Sequence, residues 1–193
     1  YDLSGGSILG NVTFDGLGQT GSPGDTLVIQ DGSVTNAVFN YENANDGSVQ
    51  LDGNGLLTYR NLEPITSTIT AANVTLNYAA GPETIAVTDA GGGQTTVDST
   101  AGEITTFNNP TNRLEINAGG GDDLIRLVGL GTGFNADLTI NGDADTDTFE
   151  VQAAFDIGAG DLTVTTESTR IDAGSITTTG DQTFNSDVLV SVD

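Results

Sequence analysis

Leu114-Glu-Ile-Asn-Ala-Gly-Gly-Gly-Asp-Asp-Leu-Ile-Arg-Leu127 aligns without a gap to Leu138-Thr-Ile-Asn-Gly-Asp-Ala-Asp-Thr-Asp-Thr-Phe-Glu-Val151, which begins 24 residues later. Self-similarity at a fixed period marks a chain built from one repeated structural unit. The same step carries Asp137-Leu-Thr-Ile140 onto Asp161-Leu-Thr-Val164, and a step of 26 residues leads on to Asp187-Val-Leu-Val190. Upstream, Ile85-Ala-Val87 with Ala90-Gly-Gly-Gly93 reads as a looser copy, because Ala118-Gly-Gly-Gly121 repeats that turn 28 residues later.

Within each unit the apolar residues alternate, as in Leu138/Ile140 and Leu162/Val164. Alternation buries one face of a strand and wets the other. No unit holds an apolar run at helical spacing long enough for a crossover helix, so parallel strands must be reached by winding the chain itself. The fold expected is all-β: a parallel β-helix, or β-solenoid, with coils of about 24 residues and the right-handed winding that parallel crossovers favour. About eight such coils at roughly 4.8 Å each would give a rod on the order of 40 Å tall.

Residues one period apart then lie above one another. Arg126 is expected over Glu150, Arg113 over Asp137, and Asn117 over Asn141, where stacked amides can bond as a ladder. The first part of the chain is less regular. Asp25–Ile29, Asn36–Tyr41, Ser48–Leu51 and Leu56–Tyr59 read as strands, with Asp52-Gly-Asn-Gly55 as a tight turn closing an antiparallel hairpin. A boundary is placed near residue 75: residues 1–75 are either irregular, decorated coils or a capping lead-in, and residues 76–193 are the regular coils.

Composition narrows the chemistry. The 193 residues include 27 Gly and 4 Pro, and lack His, Cys, Met, Trp and Lys. The usual general base, the thiol nucleophile, the Schiff-base amine and the soft metal ligands are therefore absent together, so no enzyme is expected. The four basic residues, Arg60, Arg113, Arg126 and Arg170, stand against 27 acids, a net charge of −23. That field repels nucleic acid and anionic lipid, and no stretch is apolar enough for membrane insertion. The chain opens at Tyr1 with no initiator Met and no charged-then-apolar leader, so it reads as a piece processed or excised from something longer.

Two turns hold the candidate ligands. Ala118-Gly-Gly-Gly-Asp-Asp-Leu-Ile-Arg126 and Gly142-Asp-Ala-Asp-Thr-Asp-Thr-Phe-Glu150 resemble the glycine- and aspartate-rich nonapeptide of RTX proteins. The resemblance implies Ca²⁺ at the sixth-position aspartates, here Asp123 and Asp147. In the second turn Asp143 and Asp145 stand where that nonapeptide has glycine, so Asp143, Asp145 and Asp147 form a D-x-D-x-D run of hard oxygen ligands, with Asp122 and Asp123 as a second pair. The tandem arrangement of RTX nonapeptides is missing, since each period holds one such turn. Gly and Asp are also simply turn formers. Because β-helical folds include pectin-degrading enzymes, Asp122 and Asp123 also invite comparison with paired glycosidase carboxylates. The cationic His, Lys and Arg surroundings of such sites are not matched here.

The run Tyr41-Glu-Asn-Ala-Asn-Asp-Gly-Ser48, then Leu56-Leu-Thr-Tyr-Arg-Asn-Leu-Glu-Pro-Ile65, then Phe107-Asn-Asn-Pro110 with the Gly/Asp turns, resembles modules of very large bacterial surface proteins of the filamentous-haemagglutinin and RTX adhesin types. The resemblance implies a secreted or cell-surface, elongated module with a structural or adhesive role, calcium-stabilised if the turns bind the ion. Its partners would be neighbouring modules, copies of itself or surface glycans. The rival reading is a carbohydrate- or ice-binding module using Thr rows such as Thr163-Val-Thr-Thr166 and Thr177-Thr-Thr179. Against ice binding, the row Thr139, Thr163, Leu189 is expected to fail in the last rung.

Overall fold

A computed structural model describes residues 1–18, 24–172 and 175–191. Among these residues every regular element is a strand and none is a helix. In chain order the strands are β1 (Val12–Asp15), β2 (Leu27–Ile29), β3 (Ser33–Asn43), β4 (Asp46–Leu51), β5 (Leu57–Arg60), β6 (Ile65–Ser67), β7 (Thr70–Asn77), β8 (Thr84–Gly91), β9 (Gln94–Ser99), β10 (Thr105–Asn108), β11 (Arg113–Asn117), β12 (Leu124–Leu127), β13 (Asp137–Asn141), β14 (Thr148–Val151), β15 (Phe155–Asp156), β16 (Leu162–Ile171), β17 (Ile176–Thr177) and β18 (Gln182–Val190). One mostly parallel, 16-stranded sheet takes in all of them except the β15–β17 pair.

Two parallel ladders dominate. The first runs β3, β7, β11, β13, β16, β18. The second runs β8, β12, β14 and then the later halves of β16 and β18, which carry on from the first ladder past an irregularity between Thr165 and Ser168. Below β3 the first ladder continues through two antiparallel pairings to β4 and β5, and β1 adds in parallel to β5. A second antiparallel excursion, β8–β9–β10, leads into a short parallel ladder of β10, β6 and β2.

The segments aligned in sequence are hydrogen-bonded neighbours, Arg113–Asn117 against Asp137–Asn141 and Leu124–Leu127 against Thr148–Val151. The step between paired strands is not constant, however. It is 37 residues from Asn40 to Asn77, 40 from Asn77 to Asn117, 24 from Asn117 to Asn141 and 20 from Thr165 to Asn185. The two long steps contain the antiparallel excursions. Residue 75 lies inside β7, which has parallel partners on both sides.

Two expected alignments are corrected. Ile85 pairs with Ile125, not with the strand before the Ala118 turn, and Gly91 lies instead at the β8–β9 hairpin. The turn that precedes Gly119–Gly121 in the stack is Ala80–Gly81, through the bridge of Ala80 to Gly120. The last rung over Leu162–Thr165 is Gln182–Asn185, not Asp187–Val190, which instead covers Ser168–Ile171.

Because side chains alternate, each ladder has an inner and an outer set of columns. One inner column runs without a polar interruption through nine rungs: Val12, Leu57, Val49, Phe39, Leu76, Ile116, Ile140, Val164 and Phe184. Its neighbour on the outer side is polar throughout: Thr13, Thr58, Ser48, Asn40, Asn77, Asn117, Asn141, Thr165 and Asn185. In its centre each amide donates to the one before it, Asn77 Nδ2 to Asn40 Oδ1 at 2.8 Å, Asn117 to Asn77 at 2.7 Å and Asn141 to Asn117 at 2.7 Å. Replacing Asn117 by Leu cuts two of these bonds and strands an acceptor on Asn77 and a donor on Asn141. At ~0.5–1.5 kcal/mol per bond, thermal melting should show a loss of about 1–3 kcal/mol.

The charged columns follow the same logic. Arg126 Nε donates to Glu150 at 3.0 Å from one side of it, and Arg170 meets the same carboxylate at 2.9 Å from the next rung. Arg113 is in register with Asp137 but turns to Glu115 on its own strand, at 3.0 Å.

Candidate functional site

The five candidate ligands sit on one corner, where two turns stack between the first and second ladders. Gly120 bridges in parallel to Ala80 on one side and to Ala144 on the other. Gly119 and Gly121 have φ of 93° and 118°, and Asp143 and Asp145, one turn on, have φ of 74° and 83°. The left-handed turn that glycine adopts freely is thus repeated with aspartates, which tolerate it because their short side chains bond to nearby backbone. Asp145 Oδ2 accepts from Gly121 N at 3.2 Å, and Asp143 Oδ2 lies 3.4 Å from Gly119 N.

A second series of carboxylates runs from the interior at Asp123 and Asp147 to the exposed Glu167. Glu83 N donates to Asp123 Oδ1 at 2.7 Å, Asp123 N to Asp147 Oδ1 at 3.0 Å and Asp147 N to Glu167 Oε2 at 2.8 Å. Each acid therefore caps the backbone of the turn before it. Asp122 works in the reverse sense, accepting from Thr146 N at 3.1 Å. Asp123 and Asp147 are only 2% and 1% exposed, and the second oxygen of each has no partner. Burial pushes the Asp123 carboxyl up to about 6 and Glu83 up to about 7, and it raises Asp147 as well. The neighbouring carboxylates add to the rise at Asp123 and Asp147, and the hydroxyl of Ser99, donating to Glu83 Oε2 at 2.8 Å, opposes it at Glu83.

This corner does not fit a calcium cage. Calcium takes about six to eight oxygens around one point. Here Asp122, Asp123, Asp143, Asp145 and Asp147 each direct an oxygen at a backbone N–H of the adjoining turn. Among the described residues no group of three or more acidic side chains is disposed to hold a metal ion. Melting curves in EDTA and in excess calcium should therefore superimpose. A marked rise with calcium that disappears when Asp143, Asp145 and Asp147 become Asn would restore the cage.

A second polar cluster lies in the interior beyond the reach of sequence reasoning. Glu103 is 0% exposed, neither of its carboxylate oxygens has a partner, and burial raises it to about 8. Nearby, Tyr41 Oη donates to Thr105 Oγ1 at 2.7 Å and its ring stacks on Tyr78 at 4.7 Å, while the hydroxyls of Tyr59 and Tyr78 are buried and unpartnered. No spacing in the sequence marks Glu103, because it lies in the irregular link between β9 and β10. Glu83 and Glu167 were also missed. Their places above and below Asp123 and Asp147 become visible only once the unequal steps are known.

The Thr row differs from expectation too. Thr163 pairs with Thr139 on one side and with Thr183 on the other, so the row does continue into the last rung. It is interrupted instead by Glu115, which stands between Thr75 and Thr139. Comparison with protein families, with curated proteins and with solved structures finds no match for the chain.

Proposed function

We propose that this chain is a β-solenoid module, wound in the right-handed sense that parallel crossovers favour, serving as a structural spacer in a secreted or cell-surface repeat protein. The observation that supports it best is the pair of adjoining nine-rung columns, apolar inside and polar outside. Side chains that a binding site or a catalyst would hold free are used here to join one coil to the next. The candidate aspartates cap backbone amides, and two of the four arginines clamp Glu150. The acidic coat keeps such a rod soluble and apart from anionic surfaces. Stability comes from coil-to-coil burial, in the manner of repeat architectures, with no contribution from a bound ion.

One observation favours a binding role as the second reading. Thr139, Thr163 and Thr183, with Asn141, Thr165 and Asn185 two residues along, present a flat grid of hydroxyls and amides on the first ladder. The immobilised protein is to be offered neutral polysaccharides and, separately, growing ice crystals. The spacer reading expects neither retention nor inhibition of crystal growth. Binding lost on changing Thr163 to Lys would move the conclusion to the Thr/Asn face.

A further inference from the structure

We propose that Asp31-Gly32 is a modification site, at which the folded chain converts without an enzyme to an isoaspartyl linkage through a succinimide ring. The inference stands apart from the spacer reading. Aspartate before glycine meets the least steric resistance to this rearrangement, because glycine sets no side chain beside the attacking amide. The chain holds four such pairs, Asp15-Gly16, Asp31-Gly32, Asp46-Gly47 and Asp52-Gly53. Two further pairs, Asn54-Gly55 and Asn141-Gly142, close the same ring with loss of ammonia. The fold ties down five of these six. Asp15 Oδ1 accepts from Leu17 N at 2.9 Å and from Asn61 Nδ2 at 3.0 Å, and Gly16 N donates to Arg60 O at 2.9 Å. Asp46 accepts on both oxygens, from Asn61 N and from Asn43 Nδ2, each at 3.0 Å. Asp52 Oδ2 accepts from Asn36 N at 3.0 Å and from Asn36 Nδ2 at 2.7 Å. Asn54 Oδ1 accepts from Ile8 N at 2.8 Å, and Gly55 N donates to Ile8 O at 2.7 Å. Asn141 lies in the amide ladder, and Gly142 N donates to Thr165 O at 2.8 Å.

Asp31 differs from all of these. It is exposed in the link between β2 and β3, and among the described residues no group hydrogen-bonds to its carboxylate. Neither Asp31 O nor Gly32 N has a protein partner, so that peptide unit is free on both sides. The ring closes when Gly32 N swings toward Asp31 Cγ, which means turning this one unit. Its flanks stay anchored, since Gln30 N donates to Tyr1 O and Leu3 N to Gln30 O, each at 2.9 Å, and Thr70 N donates to Gly32 O at 3.0 Å. The unit can therefore turn without parting a rung. Asp31 also has φ of 55°, a left-handed backbone that disfavours an L side chain. Carrying the main chain through Cβ removes that constraint. In the first step the bond from Gly32 N to Asp31 Cγ forms, the Cγ–OH bond breaks, and water leaves with the hydroxyl and the amide proton. In the second, water opens the ring. Attack at the main-chain carbonyl of Asp31 breaks its bond to Gly32 N, frees a carboxylate there and leaves Gly32 joined through Cγ. Attack at Cγ restores the original chain. Water is the only co-reactant, and no electrons change hands.

The test ages the intact chain at neutral pH in water enriched in heavy oxygen and maps its peptides by mass spectrometry, with isoaspartate read by enzymatic methylation. Each passage through the ring takes up one oxygen from the solvent. Heavy oxygen and isoaspartate should collect at Asp31 well ahead of Asp15, Asp46 and Asp52, while Asn54 and Asn141 keep their amides. The same chain unfolded in urea should react at all six pairs, which assigns the selection to the fold. Asp31→Gly suits the left-handed turn and should abolish the signal with cooperative melting retained. Equal labelling of the four aspartates in the folded chain overturns the proposal, and so does an Asp31 that reacts no faster than Asp52.

Discussion

The melting temperature of this protein should fall as the pH is raised from about 5 to 8, opposite to the acid lability of most folded proteins. The cause is three almost wholly buried carboxyls, raised by burial to about 6 for Asp123, about 7 for Glu83 and about 8 for Glu103, with Asp147, which burial also raises, adding to them. A carboxyl raised on folding binds its proton more tightly in the native state than in the unfolded chain. Its contribution is fully present below the ordinary carboxylate range and is lost as the pH climbs through the folded value. The groups facing these carboxyls deepen the effect, since Asp147, Asp122 and Asp143 surround Asp123, and Glu63 and Asp46 lie toward Glu103. No Arg is among the groups acting on any of the three. Each tenfold gain in proton affinity on folding is worth ~1.4 kcal/mol, so the sum is on the order of several kcal/mol, about 10–20 °C for a chain of this size. The triple variant Glu83→Gln, Glu103→Gln, Asp123→Asn keeps the acceptor oxygens that Ser99 and Glu83 N use, and its profile should be much shallower, with Asp147 left to slope it. A wild-type melting temperature that holds steady or rises over this range contradicts the assignment.

Gly119→Ala should be far more damaging than Gly133→Ala, costing ~3 kcal/mol or more against about 1 kcal/mol. Both glycines have positive φ, 93° and 79°, so both variants suffer the same backbone strain. They differ in their surroundings. A methyl at Gly119 would lie 2.7 Å from Tyr78 O and 2.6 Å from Ala79 O, which are backbone atoms of the preceding turn and cannot swing aside, whereas at Gly133 nothing lies within 4 Å. Denaturant unfolding of the two variants side by side reads the difference as the cost of parting stacked turns. Equal losses would mean that the turns of this corner are not in such close contact.

How much of this was legible in the sequence depends on how evenly the chain winds. The alignment of Leu114–Leu127 with Leu138–Val151 could be read directly, because no insertion separates those rungs, and the Asn117–Asn141 contact followed from it. The rest of the asparagine column was equally present, in Asn36-Ala-Val-Phe-Asn-Tyr41 and Asn73-Val-Thr-Leu-Asn-Tyr78. It was hidden because β4 and β5 put 37 residues between one rung and the next, and β9 and β10 put 40 before the one after. The last rung was misplaced for a related reason. Asp187-Val-Leu-Val190 imitates the alternation of Asp161-Leu-Thr-Val164, yet the chain shortens its step and brings Gln182–Asn185 there first. The two aspartate turns align in the sequence, where their residue types suggest ligands. That their oxygens meet backbone amides of the next turn depends on stacking geometry, which composition does not record. Glu103 had no signal at all. An isolated acid in an irregular link looks solvent-bound until the fold closes over it.

The most direct test of the stacked columns is a distance between two spin labels within one molecule. The chain has no cysteine of its own, so Thr13→Cys and Thr165→Cys label single exposed sites in the same outer column. Seven rungs separate them, and at roughly 4.8 Å per rung the label sites should stand roughly 34 Å apart. In labelled protein diluted with unlabelled chain, the account predicts one narrow distribution near that value, the same with calcium and with EDTA. A broad distribution, or a narrow one centred far from it, would contradict the stacking of β1, β5, β4, β3, β7, β11, β13 and β16 as one continuous ladder.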